Sequence, residues 1–104
     1  MILSVDEVKT HLRIQHDEED DYIESLVKQV QAAAEEYCRV SFESEALDPA
    51  VEQAPIPETV RLAVLLMVSH YYENRDNPEK QVYLTMRMAF ENLLYPHRDV
   101  DLMF

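Results

Sequence analysis

Residues 57–75 read PETVRLAVLLMVSHYYENR, and the periodicity of this stretch decides the fold. Val60, Val64, Met67 and Tyr71 recur at spacings of three and four and so share one face of a helix. Leu62, Leu65 or Leu66, and Tyr72 cover another face. The apolar run Leu62 to Val68 is seven residues long, far short of the roughly 18 needed to cross a bilayer. Pro57 suits the first helical turn, where its missing N–H costs nothing. The pattern predicts a helix over about 57–75. A helix apolar on more than one face is either central in its own fold or covered by a partner.

Outward from this helix, the chain is punctuated by prolines. Asn77-Pro78 breaks it, and a fourth helix is expected over about 80–95, with Val82, Met86, Ala89 or Phe90, and Leu93 on one stripe. Pro96 stops that helix. The tail 96–104 ends Leu102-Met103-Phe104, three apolar residues that either fold back onto the core or dock on a neighbouring chain. On the N-terminal side, residues 40–56 carry Pro49, Pro55 and four acids but no base, and read as a loop. Loops beyond about 12–15 residues are uncommon in compact domains and are usually functional or mobile. The segment is therefore a candidate contact arm or a plain surface loop.

The second helix is expected over about 18–39, with Ile23, Leu26, Val30, Ala33 or Ala34, and Tyr37 in register. The first is expected over about 5–13. Ser4 and Glu7 have the S-x-x-E spacing of a capping box, and Leu3 and Val8 stand where a hydrophobic staple forms. The expected fold is all-α: one small four-helix domain, 1–104, with a long loop between helices 2 and 3.

Composition supports this and narrows the function. The chain has no glycine, where average usage gives about seven in this length. Turns that need positive φ normally call for glycine, so helices with loose connections are favoured over a β sandwich. Glycine-based phosphate loops are excluded outright. Acids number 21 and bases 9, for a net charge of −12. A surface that grips DNA phosphates should be basic, so direct DNA binding is disfavoured. Cys38 is the only cysteine, and no signal-peptide pattern opens the chain; a reducing cytoplasm is the expected place of folding.

The search for chemistry returns little. His11, His16, His70 and His97 form no H-x-x-x-H, H-E-x-x-H or Cys/His zinc spacing. Asp17-Glu18-Glu19-Asp20-Asp21 lacks the spaced ligands and glycine of a calcium loop, and carboxylates at a helix N-terminus complement its dipole. His70 lies in the apolar helix, where a structural histidine is the expected role. Catalytic, cofactor-binding and metal residues are therefore expected to be none. The distinctive string is His70-Tyr71-Tyr72-Glu73-Asn74-Arg75. It is either a well-made helix end or a Tyr and Arg contact patch.

Taken in order, several blocks resemble the head–tail connector, or DNA-packaging adaptor, family of long-tailed bacteriophages. Leu3-Ser4-Val5-Asp6-Glu7-Val8-Lys9-Thr10-His11-Leu12-Arg13-Ile14 is similar to that family's first helix. The acidic break Asp17 to Asp21 with Ile23-Glu24-Ser25-Leu26 resembles its second-helix start, and Ala32 to Tyr37 continues it. Pro57, then Leu62-Ala63-Val64-Leu65-Leu66, then Tyr71-Tyr72-Glu73-Asn74-Arg75, is the most specific block. Leu93-Leu94-Tyr95-Pro96-His97-Arg98 resembles the closing LL-x-P-x-R. The departure is at Cys38-Arg39-Val40-Ser41, where many relatives carry a Gly-containing turn.

The resemblance implies a structural virion protein at the head–tail junction, made in the host bacterial cytoplasm, and not an enzyme. It implies a homo-oligomeric ring of about a dozen subunits beneath the portal, which extends the DNA channel and docks the next connector, stopper or tail protein. DNA would pass through without specific binding, and an acidic wall would repel the duplex and ease its sliding. Asp17, Glu18, Glu19, Asp20, Asp21, Glu43, Glu45, Asp48 and Glu52 are the candidate channel-lining acids. Tyr71, Tyr72, Glu73, Arg75, Arg98, Leu102, Met103 and Phe104 are the candidate partner contacts. No cofactor and no membrane are expected. The competing reading is an acidic DNA mimic that inhibits a basic DNA-binding protein; an enzyme ranks last.

Overall fold

A computed structural model describes residues 2–42, 56–75 and 79–98. They form α1 (Val5–Leu12), α2 (Asp20–Cys38), α3 (Glu58–Glu73) and α4 (Lys80–Leu94), which runs into a 3-10 turn, Tyr95–His97. The fold is all-α, with a long connection, 39–57, between α2 and α3. No strand occurs among the described residues.

α3 is the central helix. It packs against α2 on one side and α4 on the other, and also touches α1. Val60, Ala63, Val64, Met67 and Val68 are buried along its length, as the spacing of 57–75 requires. They meet Ile23, Val27, Val30, Ala34 and Cys38 of α2 and Phe90 and Leu94 of α4 in one apolar core. The second apolar face is only partly covered: Leu65 and Leu66 are half-buried, and Leu62 stays 43% exposed.

α1 starts where the sequence places it, with one modification. The Ser4 hydroxyl accepts the Glu7 backbone N–H at 3.1 Å, one half of the capping box. The Glu7 carboxylate, however, accepts from the Ser4 hydroxyl at 3.3 Å and pairs with Arg61 of α3. The reciprocal bond of the box is thus exchanged for a tie between helices. Leu3 and Val8, the staple positions, are both buried.

Helix ends in this glycine-free chain carry a cost. Arg13 and Arg39 occupy the left-handed region, with φ of 61° and 59°, at the C-termini of α1 and α2. At Arg13 the geometry is a Schellman motif: Ile14 N–H bonds to Lys9 C=O at 2.9 Å and Arg13 N–H to Thr10 C=O. A side chain there crowds its own carbonyl, by roughly 1–2 kcal/mol. Arg13→Gly is therefore expected to raise stability by about 1 kcal/mol, after the extra unfolded-state freedom of glycine is subtracted. Urea denaturation of the two proteins would read this as a higher midpoint at unchanged slope.

His70 and Cys38 are structural. The Asn74 side-chain amide donates to His70 Nδ1 at 3.2 Å and to the His70 carbonyl at 2.9 Å, closing the end of α3. The buried Cys38 thiol donates to the Leu94 carbonyl at 3.6 Å, and burial pushes its pKa up. Both features lower reactivity.

Candidate contact surfaces

The end of α3 is tied to the start of α2 by a charged and aromatic clamp. Arg75 forms an ion pair with Glu19 through its two terminal guanidinium nitrogens. Its guanidinium lies 4.7 Å from the Tyr72 ring centroid and 5.4 Å from that of Tyr22. The Tyr72 hydroxyl donates to Glu19 at 3.2 Å. Of the two readings of the 70–75 string, the structure gives Tyr72 and Arg75 an intrachain role. Glu73 points outward and is exposed.

The clamp has a pH signature. Arg75 beside Glu19, with the Tyr72 hydroxyl adding to it, holds the Glu19 carboxyl below the ordinary carboxylate range. A depressed folded-state pKa contributes stability above the unfolded value and loses it as pH falls through the folded value. Glu19→Gln is therefore expected to be less stable than the parent at pH 7. That difference narrows only as pH falls from the ordinary carboxylate range through the depressed folded value, below which a protonated Glu19 and a glutamine are equivalent. Urea midpoints at pH 7 and pH 3 measure this directly.

The acidic run is sorted by Lys9. Its stem is buried, and its ammonium lies 2.5 Å from Asp17 and 2.9 Å from Asp20. The bond to Asp17, with that to Asp20 second, holds Lys9 above its ordinary pKa, and Lys9 in turn holds Asp17 below its own. Asp17, Glu19 and Asp20 are thus engaged within the chain. Glu18 and Asp21 are exposed. Glu43, Glu45, Asp48 and Glu52 lie outside the described residues, as do Leu102, Met103 and Phe104. Among the described residues, no group of three or more His, Cys, Asp or Glu side chains is placed to hold a metal ion.

Two surfaces on α4 complete the picture. Tyr71 packs its half-buried ring against His70 and Tyr83, with centroids 5.8 and 6.2 Å away. Burial raises the Tyr71 phenol, while Arg87, donating to the Tyr83 hydroxyl at 3.2 Å, lowers that of Tyr83. Beside them a groove of about 570 Å³ runs between Tyr22, Leu26, Tyr71 and Tyr83, with Arg75 and Lys80 at its edge. On the outer side of α4, Leu84 and Met88 are exposed, followed by Tyr95, and Met88 reaches 65%; Val82 is exposed on the other flank, beside Met86 and Ala89. Arg98, the remaining candidate contact, stacks on the Tyr37 ring at 4.6 Å. The exposed α4 stripe is absent from the sequence-derived contacts. Its signal was available, since Leu84 and Met88 fall off the core stripe.

Fold and surface together define a small all-α protein with salt-linked helices and, among the described residues, exposed apolar side chains on the outer face of α4. A family model for phage gp6-like head-tail connector proteins matches residues 2–98, and the chain belongs to that family. Neither the curated proteins nor the solved structures offer a match. The family is structural and not enzymatic, and membership makes the chain a connector component of a phage virion. No described helix is long and apolar enough to cross a membrane.

Proposed function

We propose that this chain is a ring-forming adaptor that sits below the portal, extends the DNA channel and docks the next connector, stopper or tail protein. The observation that carries the reading is the family match, which runs through all four helices. The exposed Leu84 and Met88 of α4, with Tyr95 after it, support it, because exposed apolar surface marks sites of protein association. The net charge of −12 supports a channel that passes DNA without gripping it, since phosphates are repelled by an acidic wall. Of the candidate channel-lining acids among the described residues, Glu18 and Asp21 are exposed and make no ion pair there, which leaves them free for that wall or for a basic partner surface.

The test is to mix the purified chain with its portal and image the product by electron microscopy. A ring of about a dozen copies added to the portal is the expected result. A chain that stays monomeric with portal and stopper present overturns the reading. Removing residues 99–104 is expected to leave helicity and melting largely intact and to weaken incorporation at the portal.

A further inference from the structure

Nine bases are spread over this acidic chain, and three of them converge on one groove. Arg39 at the end of α2, Arg87 of α4 and Arg98 after the 3-10 turn line a hollow of about 750 Å³ with Ala33, Glu36 and Tyr37. Arg87 is paired with Glu91 at 2.9 Å. Neither of the other two makes an ion pair among the described residues, although the Glu36 carboxylate lines the same hollow. The Arg98 guanidinium lies over the Tyr37 ring, and its Nε is buried without a hydrogen-bond partner among the described residues. The Arg39 side chain is exposed and makes no ion pair among the described residues. A buried donor left unpaired is costly, so the groove gains from an anionic acceptor.

The opposite end of α2 supplies matching charge. Glu18 and Asp21 are exposed there, next to carboxylates already taken up by Lys9 and Arg75. α2 has 19 residues, so its two ends stand about 27 Å apart at 1.5 Å per residue. The basic groove and the acidic end therefore cannot meet within one chain. Two different complementary patches on one molecule make a head-to-tail contact, and such contacts close into rings when the rotation permits.

We infer that the groove of Arg39, Arg87 and Arg98 receives the carboxylates of Glu18 and Asp21 from a second copy of this chain. The inference rests on the ring reading above and specifies the subunit contact within it. The net charge of −12 disfavours DNA as the occupant, and a second copy, though of like net charge, brings carboxylates held on a folded surface that pair with the groove at short range.

The experiment uses the full chain with its portal and three variants: Arg39→Glu/Arg98→Glu, Glu18→Lys/Asp21→Lys, and the four-fold combination. Circular dichroism first verifies that each is folded. Unmodified protein must form the ring; if it does not, the ring reading fails and this contact with it. Given a ring, each charge-reversed pair is expected to lower its yield roughly tenfold or more, and the combination to restore it, because like charges face each other only in the partial variants. Reversed arginines that assemble normally overturn the inference. So does loss without rescue by the combination, which assigns the groove to another anion, DNA included.

Discussion

Phe90→Ala is expected to lower the folding stability by about 3–5 kcal/mol, the range for truncating a buried phenylalanine. Phe90 is 2% exposed, and it and Leu94 are the only buried residues of α4. α2 and α3 each bury seven. The attachment of α4 is therefore concentrated in two side chains. Phe90 already borders a hollow of about 210 Å³ lined by Val30, Ala33 and Met67, and truncation enlarges it, since packed helices collapse only partly into such spaces. Proteins of this size are stable by about 5–15 kcal/mol in total, so the loss is a large share. The melting temperature should fall by about 10 °C or more. Hydrogen exchange should show protection lost first in α4 and last in the contact of α2 with α3. Uniform loss along all helices would mean that α4 does not detach on its own. Phe90→Leu, which keeps most of the volume, is the milder control.

What the sequence reveals of this fold is what repeats locally. The three- and four-residue spacing in 57–75 identifies the face of α3 that is buried, and Ser4 locates the start of α1 because a cap is a contact over three residues. The contacts that knit the helices together are of another kind. Glu19 and Arg75 are 56 residues apart, and Glu7 and Arg61 are 54 apart. No period relates them. Lys9 meets Asp17 and Asp20 only because Arg13 takes a left-handed conformation and turns the chain back. A run of five acids gives no hint which of them face inward. Arg98 is singled out as a candidate by its place in the closing motif, but its neighbours in the groove, Arg39 and Arg87, come from the end of α2 and from α4. Arg39 itself stands in the turn where the chain departs from a glycine-containing pattern, and its φ of 59° shows the conformation such a glycine would serve.

Met88→Asp is expected to leave the single chain intact and to abolish its assembly. Met88 is 65% exposed, so the free protein gives up little packing. The helix propensity of aspartate relative to methionine costs roughly 0.5 kcal/mol, about the scatter of surface substitutions. In the proposed ring the balance is different. Met88 stands with Leu84 and Tyr95 on the outer face of α4, and Leu84 lies one helical turn from Arg87 of the basic groove, so the apolar stripe borders the groove. Burying a methionine there contributes about 1.5–3 kcal/mol, and an unpaired carboxylate in its place adds a desolvation cost of similar size. A loss of 3 kcal/mol is already about a hundredfold in one contact, and a closed ring makes the contact at every subunit boundary. Sedimentation with portal present should therefore find Met88→Asp in the unassembled fraction, folded and with a melting temperature close to the parent's. Met88→Leu, apolar and of similar volume, should assemble. If Met88→Asp instead enters the ring normally, the outer face of α4 is a solvent-facing wall, and the subunit contact must be carried without it.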